Sequence, residues 1–125
     1  MTVLVEKSAV TLEDGIKTLI ESAITDYKKR YGDGLDTSVG KKMVSDFING
    51  FVVKEGAKYI KIAMGNGGTP GGSCWAFVVI KDTAKFKKGD ILKPAGWSAP
   101  ATNSARGNVL DGMYQINWTG PLYLS

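Results

Sequence analysis

Two arginines, Arg30 and Arg106, stand among sixteen basic residues, and arginine supplies the planar fork that matches a phosphate. Arg106 lies in the run Ala99-Pro100-Ala101-Thr102-Asn103-Ser104-Ala105-Arg106-Gly107-Asn108, where small side chains leave room for a ligand. An arginine there can grip a phosphate through two parallel hydrogen bonds, and an asparagine can read a base edge with a donor and an acceptor. The same residues have a plainer use, in which Arg106 pairs a carboxylate such as Asp111 while Asn103 and Asn108 cap turns. Trp75, Phe77, Trp97 and Trp118 are the aromatics able to stack on a nucleobase, worth about 1–3 kcal/mol per base. Most residues of this size belong in a core.

Other chemistry is ruled out by composition. The chain has no histidine, which removes the usual general base, the Ser-His and Cys-His nucleophile pairs and the commonest metal ligand. Cys74 is the only cysteine, too few for a zinc site or an internal disulfide and in keeping with a reducing compartment. It sits in the most apolar stretch of the chain, where a buried small hydrophobe is expected rather than a reactive thiol. Asp82, Asp90 and Asp111 each stand beside a turn signal and read as solvated turn residues. The glycine-rich segment 65–72 lacks the Gly-Lys-Ser/Thr ending of a phosphate loop and precedes a strand, so it reads as a flexible hairpin connection, with a close backbone approach to a ligand or a neighbouring subunit as the other use of so many glycines. No catalytic set, metal site or cofactor is therefore expected, and the chain reads as a binding protein, not an enzyme.

The elements that must position these residues follow from periodicity. Thr11 can cap a first helix with Asp14 three residues on, and Leu12, Ile16, Leu19, Ile20, Ala23, Ile24 and Tyr27 recur at helical spacing. A second helix is expected from about Asp36 or Thr37, with Val39, Met43, Val44, Phe47, Ile48 and Phe51 on one face. After Gly56 the pattern turns to strands at 58–64 and 74–80, then a tight turn at 86–90, a short strand at 91–93 and a last one at 113–118. The run Cys74-Trp75-Ala76-Phe77-Val78-Val79-Ile80 is apolar throughout, as in a central strand covered on both faces. Strict alternation would put Trp75 and Phe77 on one face and Ala76 and Val78 on the other. Helices grouped before strands give an α+β fold, with two N-terminal helices followed by a mainly antiparallel β-sheet. A single domain over 1–125 is expected, helical to about residue 54 and sheet-forming from 57. Between Pro94 and Leu110 lies a loop too long to be only a connector, and such loops are often functional.

Charge is unevenly spread. Residues 1–36 hold five Lys/Arg against seven Asp/Glu, and residues 37–125 hold eleven against five, within a net charge of +4. The imbalance favours anionic partners. No apolar run approaches the roughly 20 residues of a membrane span, and no signal-peptide pattern opens the chain, so a cytosolic protein with no membrane partner is expected.

The stretch Lys85-Phe86-Lys87-Lys88-Gly89-Asp90-Ile91-Leu92-Lys93-Pro94-Ala95-Gly96-Trp97-Ser98-Ala99-Pro100, continuing through Asn103, Arg106, Gly107 and Asn108 to Trp118-Thr119-Gly120-Pro121, resembles the first-described Thoeris anti-defence sponge family of phage. The likeness covers about the C-terminal two-thirds of the chain, and the helical part only by length and pattern. It implies a protein of the infected host's cytoplasm that sequesters cyclic ADP-ribose isomers and, in some members, cyclic dinucleotides or trinucleotides, without cleaving them. It also implies a homo-oligomer, a dimer or a hexamer built as a trimer of dimers, with ligand pockets where protomers meet. On that resemblance Phe77 matches the adenine-stacking aromatic and Arg106 the C-terminal arginine, while the helix-borne basic residue is Lys28 or Arg30. With these, Trp75, Trp97, Ala99, Asn103 and Asn108 complete the expected ligand-binding set. Two other readings stay open, a single-stranded nucleic-acid binder and a virion-associated structural protein.

Overall fold

The computed structural model describes residues 3–5, 8–31, 37–66, 69–95, 100–101, 105–112, 114–117 and 120–121. Strand β1 (Val3–Val5) leads into helices α1 (Leu12–Tyr31) and α2 (Ser38–Asn49), followed by strands β2 (Val52–Glu55), β3 (Tyr59–Asn66), β4 (Thr69–Val79), β5 (Ile91–Leu92), β6 (Tyr114–Asn117) and β7 (Gly120–Pro121). The class is α+β, as the grouping of helical and strand periodicities predicts. β1, a run of three residues, falls inside the segment expected to be helical, and β2, a run of four, straddles its end.

Both helices start where capping chemistry dictates. The Asp14 amide donates to Thr11 Oγ1 at 3.1 Å and the Gly40 amide to Thr37 Oγ1 at 2.9 Å, so a side-chain oxygen satisfies an otherwise orphaned first-turn donor. Tyr27 of α1 stacks on Phe47 of α2 with ring centroids 4.0 Å apart. From Phe47 the contact passes edge-on to Phe51 at 5.1 Å and on to Trp75 of β4 at 5.4 Å. Four rings thus tie the helices to the sheet, in the edge-to-face and stacked geometries that the ring quadrupole favours.

Two antiparallel sheets form, one in the order β2-β3-β4-β5 and one in the order β1-β6-β7. In the larger, residues 75–79 of β4 and both residues of β5 are buried, while the edge strand β2 is largely exposed. Ile16, Leu19 and Ala23 of α1 cover one face through Ile60, Ile62, Ala76 and Val78, while Phe86 covers the other through Phe77, Val79 and Leu92.

Strict alternation fails in β4. Ile62 pairs with Ala76 but Ala63 pairs with Cys74, leaving Trp75 as the extra residue of a β-bulge. The bulge turns Trp75 onto the helix-covered face beside Ala76 and Val78, and sends Cys74 to the face of Phe77. Trp75 and Phe77 therefore lie on opposite faces, contrary to the expectation from alternation.

The glycine-rich segment is largely strand. β3 and β4 stay paired as far as Asn66 and Thr69, and only Gly67 and Gly68 lie outside the described residues. The expected connection shrinks to the tip of a long hairpin.

Candidate functional site

The C-terminal segment doubles back along β5. Val109 N donates to Gly89 O at 2.9 Å, Ile91 N to Gly107 O at 2.8 Å, Arg106 N to Ile91 O at 2.7 Å and Ala101 N to Lys93 O at 2.7 Å. Ala101 and residues 106–109 thus run alongside β5, and these bonds fix the backbone that carries Arg106. Two glycines permit it. Gly89 has a φ of +93° and Gly107 a φ of +151°, conformations that other residues adopt only under strain. A Cβ on Gly107 would collide with Tyr114 Cβ.

Asn108 secures the turn. Its Nδ2 donates to Asp90 Oδ1 and to Lys88 O, each at 3.0 Å, and its Oδ1 accepts from Leu110 N at 2.8 Å and Asp111 N at 3.1 Å. The amide is engaged at both donors and twice at its oxygen, so Asn108 belongs to the frame and has little left for a base edge. Asp90 is buried, not solvated; its second oxygen accepts from Lys87 N at 2.9 Å. Asp82 and Asp111 are exposed, the first accepting from Lys88 N and the second paired with Lys87 Nζ at 3.1 Å. Asp111 draws the Lys87 ammonium pKa upward through that hydrogen bond.

Among the described residues, the members of the expected ligand set are not gathered at one place. Trp75 and Phe77 are 2% and 3% exposed, and each is locked in a different core cluster. Neither offers a ring face to solvent, so the stacking role expected of them does not fit their placement. Arg106 is buried beside β5. Trp97, Ala99 and Asn103 lie outside the described residues, as does the side chain of Arg30. Cys74 is half-buried, and burial raises its thiol pKa while Lys61 opposes the rise. Among the described residues no group of acids and cysteines is placed to hold a metal ion, and no helix is long and apolar enough to cross a membrane.

Lys28 does line a cleft. The Tyr27–Phe47 stack sets α1 on α2, and just beyond it Lys28 faces Lys41, Ser45 and Asn49 across a space of about 270 Å³ floored by Val44 and Ile48. Asn49 Nδ2 donates to Ser45 Oγ at 3.3 Å, which leaves the serine hydroxyl proton and the second amide donor for a guest. Neither lysine joins an ion pair among the described residues. Two cations and two neutral donors beside Val44 and Ile48 are groups that can contact a phosphate. Lys41, Ser45 and Asn49 are absent from the expected set because, along the sequence, they read as the solvated side of an amphipathic helix.

No curated protein and no solved structure matches the chain. Residues 5–124 match the model of a family described as "Family of unknown function (DUF7717)", and the chain belongs to that family.

Proposed function

We propose that the protein binds and sequesters anionic cyclic nucleotides without cleaving them, acting as a phage anti-defence protein in the cytoplasm of the infected bacterial host. The observation that carries this reading is the cationic cleft of Lys28 and Lys41 between the helices, together with a chain that has no histidine to serve as a general base. The resemblance of the 85–121 stretch to the Thoeris anti-defence sponges supplies the ligand class, cyclic ADP-ribose isomers first and cyclic dinucleotides or trinucleotides second.

Arg106 is 5% exposed and does not line the Lys28–Lys41 cleft, so a direct grip on the guest fits its placement no better than stacking fits Trp75 and Phe77. A second protomer that brings its own Lys28 and Lys41 to the guest can complete the phosphate contacts, in a homodimer or a hexamer built as a trimer of dimers. The stacking role that the buried Trp75 and Phe77 do not fill falls, in this proposal, to Trp97. Competing with a receptor needs a dissociation constant near nanomolar, about −12 kcal/mol net. Three or four charge-assisted hydrogen bonds at about 1.5–3 kcal/mol each, with stacking, reach that only if enclosure between protomers removes water from the phosphates.

Native mass spectrometry with cyclic ADP-ribose and a panel of cyclic dinucleotides tests the reading. The expected result is retention of one guest, recovered intact after heat denaturation. Lys28→Ala with Lys41→Ala weakens retention by about 2–4 kcal/mol. Recovery of a hydrolysed guest, or binding that strengthens with the length of a single-stranded oligonucleotide, overturns it.

A further inference from the structure

At the other end of α1 the chemistry reverses. Leu12, Ile16 and Ile20 on one wall, with Val53 of β2 and Ile60 of β3 on the other, floor a groove of about 560 Å³. Glu13, Glu21 and Glu55 stand on its rim, all exposed, with Lys17 as the one cation among the lining residues. The rim is net negative in a chain whose net charge is +4.

The groove is a gap in a layer. Val53 and Glu55 pair with Ile62 and Ile60 and so share the face of the sheet that α1 covers. α1 stops short of the edge strand, and Val53 is left 48% exposed. Through Phe47 and Phe51, α2 reaches Trp75 on the same face, and a further helix laid beside α1 is an ordinary way to complete a helix-on-sheet layer. From Leu12 to Ile20 the apolar wall runs about 12 Å at 1.5 Å per residue, which matches anchors at i, i+4 and i+7 of a helix lying in the groove.

We propose that this groove docks a cationic amphipathic helix of a partner protein. Apolar anchors of the partner fill the floor, and its lysines or arginines meet Glu13, Glu21 and Glu55. The sign of the rim decides against the other candidates, since nucleotides, nucleic acid and anionic lipid all carry the charge that these glutamates repel. The proposal stands apart from the nucleotide reading, which uses the opposite end of the helix and the opposite charge.

Fluorescence anisotropy of the full chain with a labelled eighteen-residue peptide, leucines along one helical face and lysines on the other, tests it. Saturable binding with a dissociation constant on the order of micromolar, weakened at least tenfold by Glu13→Lys, Glu21→Lys and Glu55→Lys together, is the expected result. Val53→Asp gives a similar loss, circular dichroism confirms that each variant folds, and Lys28→Ala with Lys41→Ala leaves peptide binding within twofold. Absence of saturation at 100 μM, or equal binding by the triple variant, overturns the proposal. So does sedimentation showing that the free chain self-associates and that the triple variant does not, which assigns the groove to a second copy.

Discussion

Asn108 and Asp90, eighteen residues apart, share a buried hydrogen bond of 3.0 Å between Nδ2 and Oδ1. Through it the segment bearing Arg106 is fastened to the turn that opens β5. Asn108→Ala leaves a buried carboxylate, a carbonyl and two amides short of a partner, and a stranded buried group costs about 1–3 kcal/mol. The expected loss is about 2–4 kcal/mol in urea denaturation. Asn108→Asp costs at least as much, because it sets a second carboxylate against Asp90. A loss below about 0.5 kcal/mol shows that the clasp does not hold the segment.

The bulge at Trp75 makes a prediction about coupling. Trp75 touches Phe51 edge-on at 5.4 Å, whereas Phe77 lies across the sheet against Tyr59 at 5.9 Å. Trp75→Ala and Phe77→Ala each cost about 3–5 kcal/mol. A double-mutant cycle between Trp75 and Phe51 gives a coupling of about 0.5–1.5 kcal/mol. The cycle between Trp75 and Phe77 gives a smaller value, and a larger one returns both rings to a single face.

Tyr114 is 4% exposed, and its hydroxyl has no hydrogen-bond partner among the described residues. Burial raises the phenol pKa far above its usual 10.0. The folded state therefore keeps its proton after the unfolded chain has lost it, so this contribution to stability is whole below pH 10 and falls as pH rises further. Wild type should lose stability above pH 10 more steeply than Tyr114→Phe, by up to about 1.4 kcal/mol per pH unit. Lys87, whose pKa Asp111 also raises, adds a loss of the same sign to both proteins and cancels in the comparison. At pH 7 Tyr114→Phe should match wild type or exceed it by up to about 1 kcal/mol, since it discards an unpaired buried hydroxyl. Parallel melting curves at pH 7, 9 and 10.5 check both statements.

The parts of the fold that could be read from the chain are those set by local chemistry. Thr11 and Thr37 cap helices because their hydroxyls reach amides three residues on, and both signals lie within one turn of sequence. β4 declares itself by its apolar content, but that same content hides the bulge. When every position is apolar, alternation carries no information on which face Trp75 takes, and only the pairing with Ile62 and Ala63 decides it. Asn108 could be read as a turn former, yet its commitment to Asp90 depends on a contact that sequence spacing does not encode. The site was less legible than the fold. Lys28 was visible as a helix-borne cation, but Lys41, Ser45 and Asn49 join it only once Tyr27 stacks on Phe47.

Cys74 is placed on the Phe77 face by the same bulge, half-buried against that cluster. Burial is the larger influence on its thiol and raises the pKa from the usual 9.0, while the Lys61 ammonium lowers it. Because the thiolate is the reactive form, iodoacetamide should label the native protein at pH 8 at least tenfold more slowly than it labels the unfolded chain. Raising the pH to 9.5 should speed labelling, and Lys61→Ala should slow it, since removing the cation leaves only the burial effect. Labelling as fast in the folded protein as in urea contradicts the raised pKa and the burial together. Acceleration by Lys61→Ala with unchanged stability instead shows that the lysine shields the sulfur, giving it a steric role in place of an electrostatic one.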